Sequence, residues 1–233
     1  MPPSTGHAPA PPPELVEARL AEVRARIARA GRDPAQVRVV AVTKGFGPDA
    51  VCAALDAGVR DIGENYASEL TAKADALGRT RADADQVSWH YLGAVQRRRV
   101  RDLAPVVSWW ETVARPSEGE AIAARAPHAV VLVEVDTTGL AGRNGVAPDG
   151  VGDLVAHLGR LGLDVRGLMT VAPMGAPEAA RPGFRTTAGL ARDLGLAEVS
   201  MGMTADLEVA LEEGATMVRV GRALFGERPP RPR

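Results

Sequence analysis

Among 28 basic residues only two are lysines, Lys44 and Lys73; the rest are arginines. A guanidinium stays protonated and cannot attack a carbonyl carbon, whereas a lysine amine can. Lys44 follows the apolar run Val37-Arg-Val-Val-Ala-Val-Thr43 and opens the turn Lys44-Gly45-Phe46-Gly47-Pro48. In a partly desolvated pocket such an amine has a lowered pKa and forms an imine with an aldehyde. The same position also suits a lysine that snorkels into solvent, and position alone leaves both readings open. Lys73 lies in the helical stretch 67–77, four residues after Glu69, the pattern of a solvated i,i+4 pair, and a surface role is expected for it.

Two further segments carry polar backbone and hydroxyls at strand-to-helix turns: Ser200-Met201-Gly202-Met203-Thr204 and Val218-Arg219-Val220-Gly221-Arg222. Backbone N–H groups at a helix start bind phosphate; alternatively Gly202 and Gly221 only permit tight turns. The coincidence of two such loops favours a phosphate cradle. Glu64 and Asn65 could orient polar groups of a ligand, or Asn65 could cap a helix. His90 falls within the run Trp89-His-Tyr-Leu-Gly93, as a satisfied core histidine or a ligand contact, and Met169 could pack on a flat ring or in the core.

The elements that must position these residues are short β-branched runs alternating with alanine-rich helical stretches. Strands are expected over 37–43, 59–63, 88–93, 106–113, 129–136, 165–171, 197–201 and 217–221. Eight strand–helix repeats predict an α/β fold, a parallel (β/α)8 TIM barrel, whereas a doubly wound open sheet would suit six strands better. Barrel sites lie at the C-terminal ends of the strands, where Lys44 and both glycine loops fall. An extra amphipathic helix from Glu14 to Ala30 precedes the barrel. The barrel is expected over 14–227, between proline-rich tails over 1–13 and 228–233 expected to be disordered.

A carbonyl-reactive amine and a phosphate cradle describe one ligand, pyridoxal 5′-phosphate; Arg219, near the end of the last strand, could then face its ring nitrogen, donate a hydrogen bond and keep it unprotonated. The formal net charge of −1 argues against a nucleic-acid partner, and Gln96 to Arg101 reads as a charged helix face. Cys52 and His7, His90, His128 and His157 show no metal-ligand spacing, so no metal is expected. No export signal or membrane span is recognisable, and a cytoplasmic location is expected.

The segments Val39-Val-Ala-Val-Thr-Lys44, Gly63-Glu-Asn-Tyr66, Trp89-His-Tyr-Leu-Gly93, Gly167-Leu-Met169, Ser200-Met-Gly-Met203 and Val218-Arg-Val-Gly221 through Phe225-Gly226 together resemble the pyridoxal phosphate homeostasis protein family. The resemblance runs from about Glu14 to Glu227. It implies a barrel similar to the N-terminal domain of alanine racemase, with pyridoxal phosphate held as an internal aldimine on Lys44. By the same matching Ser200, Gly202, Thr204 and Gly221 would surround the phosphate and Arg219 would meet the pyridine nitrogen. Asn65, His90 and Met169 would lie near the ring. The chain departs from the family pattern at Phe46 and Arg143, where relatives often keep lysines, and at Arg222, commonly threonine, which could add a positive charge beside the phosphate or point away from it.

A racemase needs two bases, one on each face of the substrate carbanion. Lys44 would be one, and neither Tyr66 nor Tyr91 has an evident reason to oppose it. The expectation is therefore a carrier that holds and buffers the cofactor, without robust catalysis and with cofactor-dependent apoenzymes as recipients; the lack of a racemase-type dimerisation domain makes a monomer the expected state. A racemase or lyase of amino acids is the alternative, and an imine-forming aldolase a third reading.

Overall fold

The computed structural model describes residues 9–227; the remainder of both expected tails, residues 1–8 and 228–233, lies outside the described residues. Helix α1 (Pro13–Arg29) comes first, and the Ala10 N–H just ahead of it bonds to Asp49 Oδ2 at 2.9 Å. There follow β1 (Arg38–Val42), α2 (Pro48–Asp56), β2 (Asp61–Glu64), α3 (Ala67–Thr80), β3 (Ser88–Tyr91), α4 (Arg97–Leu103), β4 (Trp109–Val113) and α5 (Pro116–Ala123). The second half repeats the pattern with β5 (Val130–Glu134), α6 (Val151–Arg160), β6 (Asp164–Met169), α7 (Arg181–Asp193), β7 (Glu198–Ser200), α8 (Leu207–Glu212), β8 (Met217–Val220) and α9 (Arg222–Phe225). All eight strands are parallel and close in sequence order, β8 pairing with β1.

The barrel expected from the sequence is thus the one observed, with shorter strands. Val59 and Val106 look like strand openers, but their N–H groups are taken by Ala54 O and Leu103 O, both at 2.9 Å, which finishes α2 and α4 before extended backbone begins.

Side chains alternate across each strand as a closed sheet requires. In β5 Val131 and Val133 face the helix layer, while Val130 and Leu132 face the barrel interior; in β8 Val218 and Val220 face outward and Met217 inward. The outer layer is a continuous apolar annulus. Inside, Val40, Trp109, Leu132, Met169 and Met217 form a small buried apolar cluster with Val130 and Val171 packed against it, and polar side chains share the interior with them.

Helix α1 presents Val16, Leu20, Val23 and Ile27 as a buried stripe against α2, α8 and α9, across the seam where β8 meets β1. Arg26 ties it down: its Nε and one terminal nitrogen donate to Glu208 at 2.6 and 2.7 Å, and that nitrogen also reaches Thr204 O at 2.9 Å.

Candidate functional site

Lys44 emerges from β1 into a turn that its neighbours fix from below. Gly45 adopts φ +84°, which a side chain would strain, and its N–H donates to Glu69 Oε2 at 2.8 Å. Thr43, one residue before Lys44, donates its hydroxyl to Glu64 Oε1 at 2.6 Å and offers its carbonyl to Lys73 Nζ at 2.9 Å. Lys73 also donates to Glu64 Oε1. The solvated helix pair expected for Lys73 is corrected here: its side chain is 3% exposed, Glu64 is fully buried, and the i,i+4 partner Glu69 stands 3.8 Å away as a secondary contact. Burial raises the Glu64 pKa against the opposing pull of Lys73 and Thr43. Lys44 itself is half-buried at the barrel mouth.

A second set of residues runs through the interior. Arg219 on β8 is buried and donates to Ser200 Oγ at 2.7 Å and to Thr170 O at 2.8 Å. Ser200 donates its hydroxyl to Glu111 Oε2 at 2.6 Å. Glu111 lies on β4 and Ser200 on β7, which are not neighbours, so the bond crosses the lumen. Glu111 Oε1 meets His90 Nδ1 at 2.5 Å, and His90 Nε2 meets Asp61 Oδ1 at 3.0 Å. Arg38 continues the series to solvent, 3.0 Å from Asp61. His90 stacks on Trp109 with ring centroids 5.5 Å apart.

Burial alone would lower the His90 pKa, but its bonds to Asp61 and Glu111 and their charges outweigh it and raise it. Burial likewise works against Glu111, yet His90, Arg219 and Ser200 hold its carboxyl below the ordinary range. Asp61 is lowered too, His90 and Arg38 overcoming its desolvation. Burial lowers Arg219, opposed by Glu111, Glu134 and Asp206.

The loops after β7 and β8 meet at α9. Gly202 has φ +89°, and a Cβ there would stand 2.5 Å from that of Ala210. Gly221 begins the turn into α9 with Val42 O 3.2 Å from where its Cβ would be. Thr204 Oγ1 accepts from the Ala223 N–H of α9 at 3.3 Å. Asp206 steadies the loop by accepting from the Met203 N–H at 2.6 Å.

Of the residues singled out from the sequence, Lys44, Asn65, Gly202, Thr204, Arg219 and Gly221 gather at or just below the C-terminal rim. Asn65 approaches the next loop closely, since a Cβ on Gly93 would collide with Asn65 O at 2.0 Å. Met169 belongs to the interior apolar cluster. Ser200 and His90 sit deeper, their polar atoms committed to the lumen network. Arg222 is exposed and faces Glu227 at 3.6 Å, while Phe46 packs its ring 5.6 Å from that of Phe225. Arg143 donates to Val171 O and to Ala172 O, bracing the loop after β6.

Sequence reading missed Glu111, Asp61, Glu134 and the true setting of Lys73. Glu111 and Glu134 left a signal: each is a lone acid in a strand otherwise rich in apolar residues. Among the described residues no group of acids, histidines and cysteines could hold a metal ion, and no helix is long and apolar enough to cross a membrane.

The family described as alanine racemase, N-terminal domain, matches residues 17–229. A pyridoxal phosphate homeostasis protein of Pseudomonas aeruginosa is 38% identical over 222 residues, 90% of this chain and 94% of that protein. The one from Deinococcus radiodurans is 38% identical over 216 residues, 90% of this chain and 99% of its own. Among solved structures, an unknown protein from Bifidobacterium adolescentis superposes with TM-score 0.82 at 32% identity, covering 91% of this chain and 94% of its own. PipY of Synechococcus elongatus, solved with pyridoxal phosphate (PLP) bound, matches with TM-score 0.74 at 30% identity over 91% of this chain and 100% of its own. The chain belongs to the pyridoxal phosphate homeostasis protein family, built on the alanine racemase N-terminal domain.

Proposed function

We propose that this protein binds pyridoxal 5′-phosphate at the C-terminal mouth of the barrel and acts in intracellular vitamin B6 homeostasis. The observation that carries the reading is the convergence of an amine and a guanidinium on adjacent strands: Val40 of β1 is in register with Arg219 of β8, and Lys44 follows β1. PipY with PLP bound lends support as a relative of the same fold. When bound, the cofactor supplies an aldehyde that condenses reversibly with an amine, and a pyridine ring that withdraws electrons from that carbon.

The residues present suit such a ligand. Asn65 Oδ1 is buried without a hydrogen-bond partner among the described residues, and Asn65 Nδ2 reaches Leu92 O only at 3.4 Å. Unused bonding capacity at a barrel mouth fits a polar ligand. In this reading Lys44 is the attachment point, and Gly202, Thr204 and Gly221 hold the phosphate against α9, with the Arg222 charge nearby. Arg219 donates to the ring nitrogen, Asn65 and Met169 border the ring, and Ser200 and His90 act on it from beneath through Arg219.

A carrier role is favoured over racemisation by the setting of Tyr91. Tyr91 is buried outside the barrel, edge-on to Trp110, with its hydroxyl 3.4 Å from Ala94 O. Tyr66 lies 38% exposed at the start of α3. Tyr91 is thus turned away from the mouth and is not placed as a second base. The protein is proposed to work as a cytoplasmic monomer whose cofactor passes to apoenzymes.

The deciding experiment adds the cofactor, records the visible absorption band, reduces with borohydride and maps the added mass. Label on the Lys44 peptide, absent in Lys44→Ala, is expected; an unchanged band and affinity in Lys44→Ala would refute the assignment. Solvent deuterium exchange at the α-carbon of added amino acids, above the rate given by free cofactor, would instead support the racemase reading.

A further inference from the structure

The lumen network poses a question that cofactor binding at the mouth does not answer, namely why a barrel interior should bury so many charges in a line. Taking charges out of water is strongly unfavourable unless they are paired and hydrogen-bonded. Here they alternate in sign: Arg38, Asp61, His90, Glu111 and, through the Ser200 hydroxyl, Arg219. The series begins at the lower opening, where Arg38 is 34% exposed, and ends at Arg219, which is 5% exposed.

His90 is the hinge of the series. Each ring nitrogen faces a carboxylate oxygen, at 2.5 and 3.0 Å. A neutral imidazole has a single N–H and would turn a lone pair toward one of those oxygens; an imidazolium satisfies both. The direction of every bond then follows. His90 donates to Glu111, Ser200 donates to the other oxygen of Glu111, and the lone pairs left on Ser200 face the guanidinium of Arg219.

We infer that Asp61, His90 and Glu111 are positioning residues for Arg219, transmitting charge from the lower opening of the barrel to the ring nitrogen of the bound cofactor. The inference rests on Arg219 facing that nitrogen, as proposed above. Every strand contributes a charged group to this environment except β3, which carries His90 itself. These are Arg38 on β1, Asp61 on β2, Glu111 on β4, Glu134 on β5, Arg166 on β6 over the Trp109 ring, Glu198 on β7 at 3.9 Å from Arg38, and Arg219 on β8.

The test is a pH titration of the cofactor's visible band in the loaded protein and in two near-isosteric variants. Glu111→Gln removes a negative charge, makes the site more positive and moves the midpoint to lower pH. His90→Gln removes a positive charge and moves it to higher pH. Each shift is expected to be about one pH unit, as for a unit charge acting over several ångströms at a protein-like dielectric. Shifts of opposite sign distinguish charge coupling from loss of packing, which would weaken both variants alike.

A second measurement needs neither variant nor cofactor: nitrogen-15 spectra at neutral pH are expected to show His90 protonated on both ring nitrogens. A neutral His90, unmoved midpoints or shifts of the same sign would overturn the inference. If the wild-type protein is labelled on Lys44 yet the midpoints do not move, the inference alone fails. If the wild type takes up no label, the binding reading fails, and the inference with it.

Discussion

Replacing Lys73 by Met separates the two settings that its sequence spacing allows. A solvated Glu69–Lys73 pair would contribute about 0.3–0.5 kcal/mol. The observed Lys73 is 3% exposed and pairs with a fully buried Glu64. Removing one member of such a pair leaves an uncompensated buried charge and costs about 3–5 kcal/mol. For a chain of this size each kcal/mol lowers Tm by about 2–4 °C. Lys73→Met should therefore melt about 6–20 °C below the wild type, against about 1–2 °C for a surface pair. Thermal and urea unfolding at pH 7 measure this directly. The double variant Lys73→Met, Glu64→Leu should recover most of the loss, because no buried charge then remains.

The pH dependence of the single variant has a definite sign. Burial already holds the Glu64 carboxyl above its ordinary range, and without Lys73 it rises further. A carboxyl whose folded-state pKa is raised takes up a proton more readily when folded. The stability deficit of Lys73→Met should thus shrink as the pH falls from 7 toward 5. A loss below about 1 kcal/mol that does not change with pH would refute the buried-pair argument.

Gly202→Ala places a side chain at φ +89° and 2.5 Å from Ala210 Cβ; a cost of about 1–3 kcal/mol in urea unfolding is expected, with weakened cofactor binding by equilibrium dialysis. Phe46→Ala empties the contact between the Lys44 turn and Phe225 and should lose about 3–5 kcal/mol by the same unfolding assay. Because the His90 pKa is raised on folding, its contribution is complete below about pH 6.5 and fades as pH climbs through the folded-state value. Urea midpoints of the wild type should decline on that alkaline side, and those of His90→Gln should not.

The barrel was legible because eight β-branched runs at regular intervals admit few other closures, and Lys44 because an amine at the end of an apolar strand is conspicuous. Lys73 was misread for a physical reason: an i,i+4 acid–base pair is compatible with either face of a helix. Its companions Leu70 and Leu77, both buried, would have placed it on the inward stripe. The lumen network was harder to see, since the bond between Glu111 and Ser200 joins residues 89 apart. Strand alternation groups Glu111 with Trp109, but parity alone does not say which group faces the lumen. Nor does a motif such as Ser-Met-Gly-Met reveal that its serine hydroxyl is spent inside the barrel.

The packing of α1 across the β8–β1 seam sets a timetable for biosynthesis. Arg26 and its partner Glu208 are separated by 182 residues, so at about 5–20 residues per second roughly 10–40 s pass between their emergence from the ribosome. Throughout that interval β1 has no β8 to complete its pairing, and the stripe of Val16, Leu20, Val23 and Ile27 has α2 to lean on but neither α8 nor α9. The nascent chain carries an open sheet edge and a half-covered helix until β8, α8 and α9 arrive, and for that time the apolar stripe of the first helix is exposed to non-native contacts.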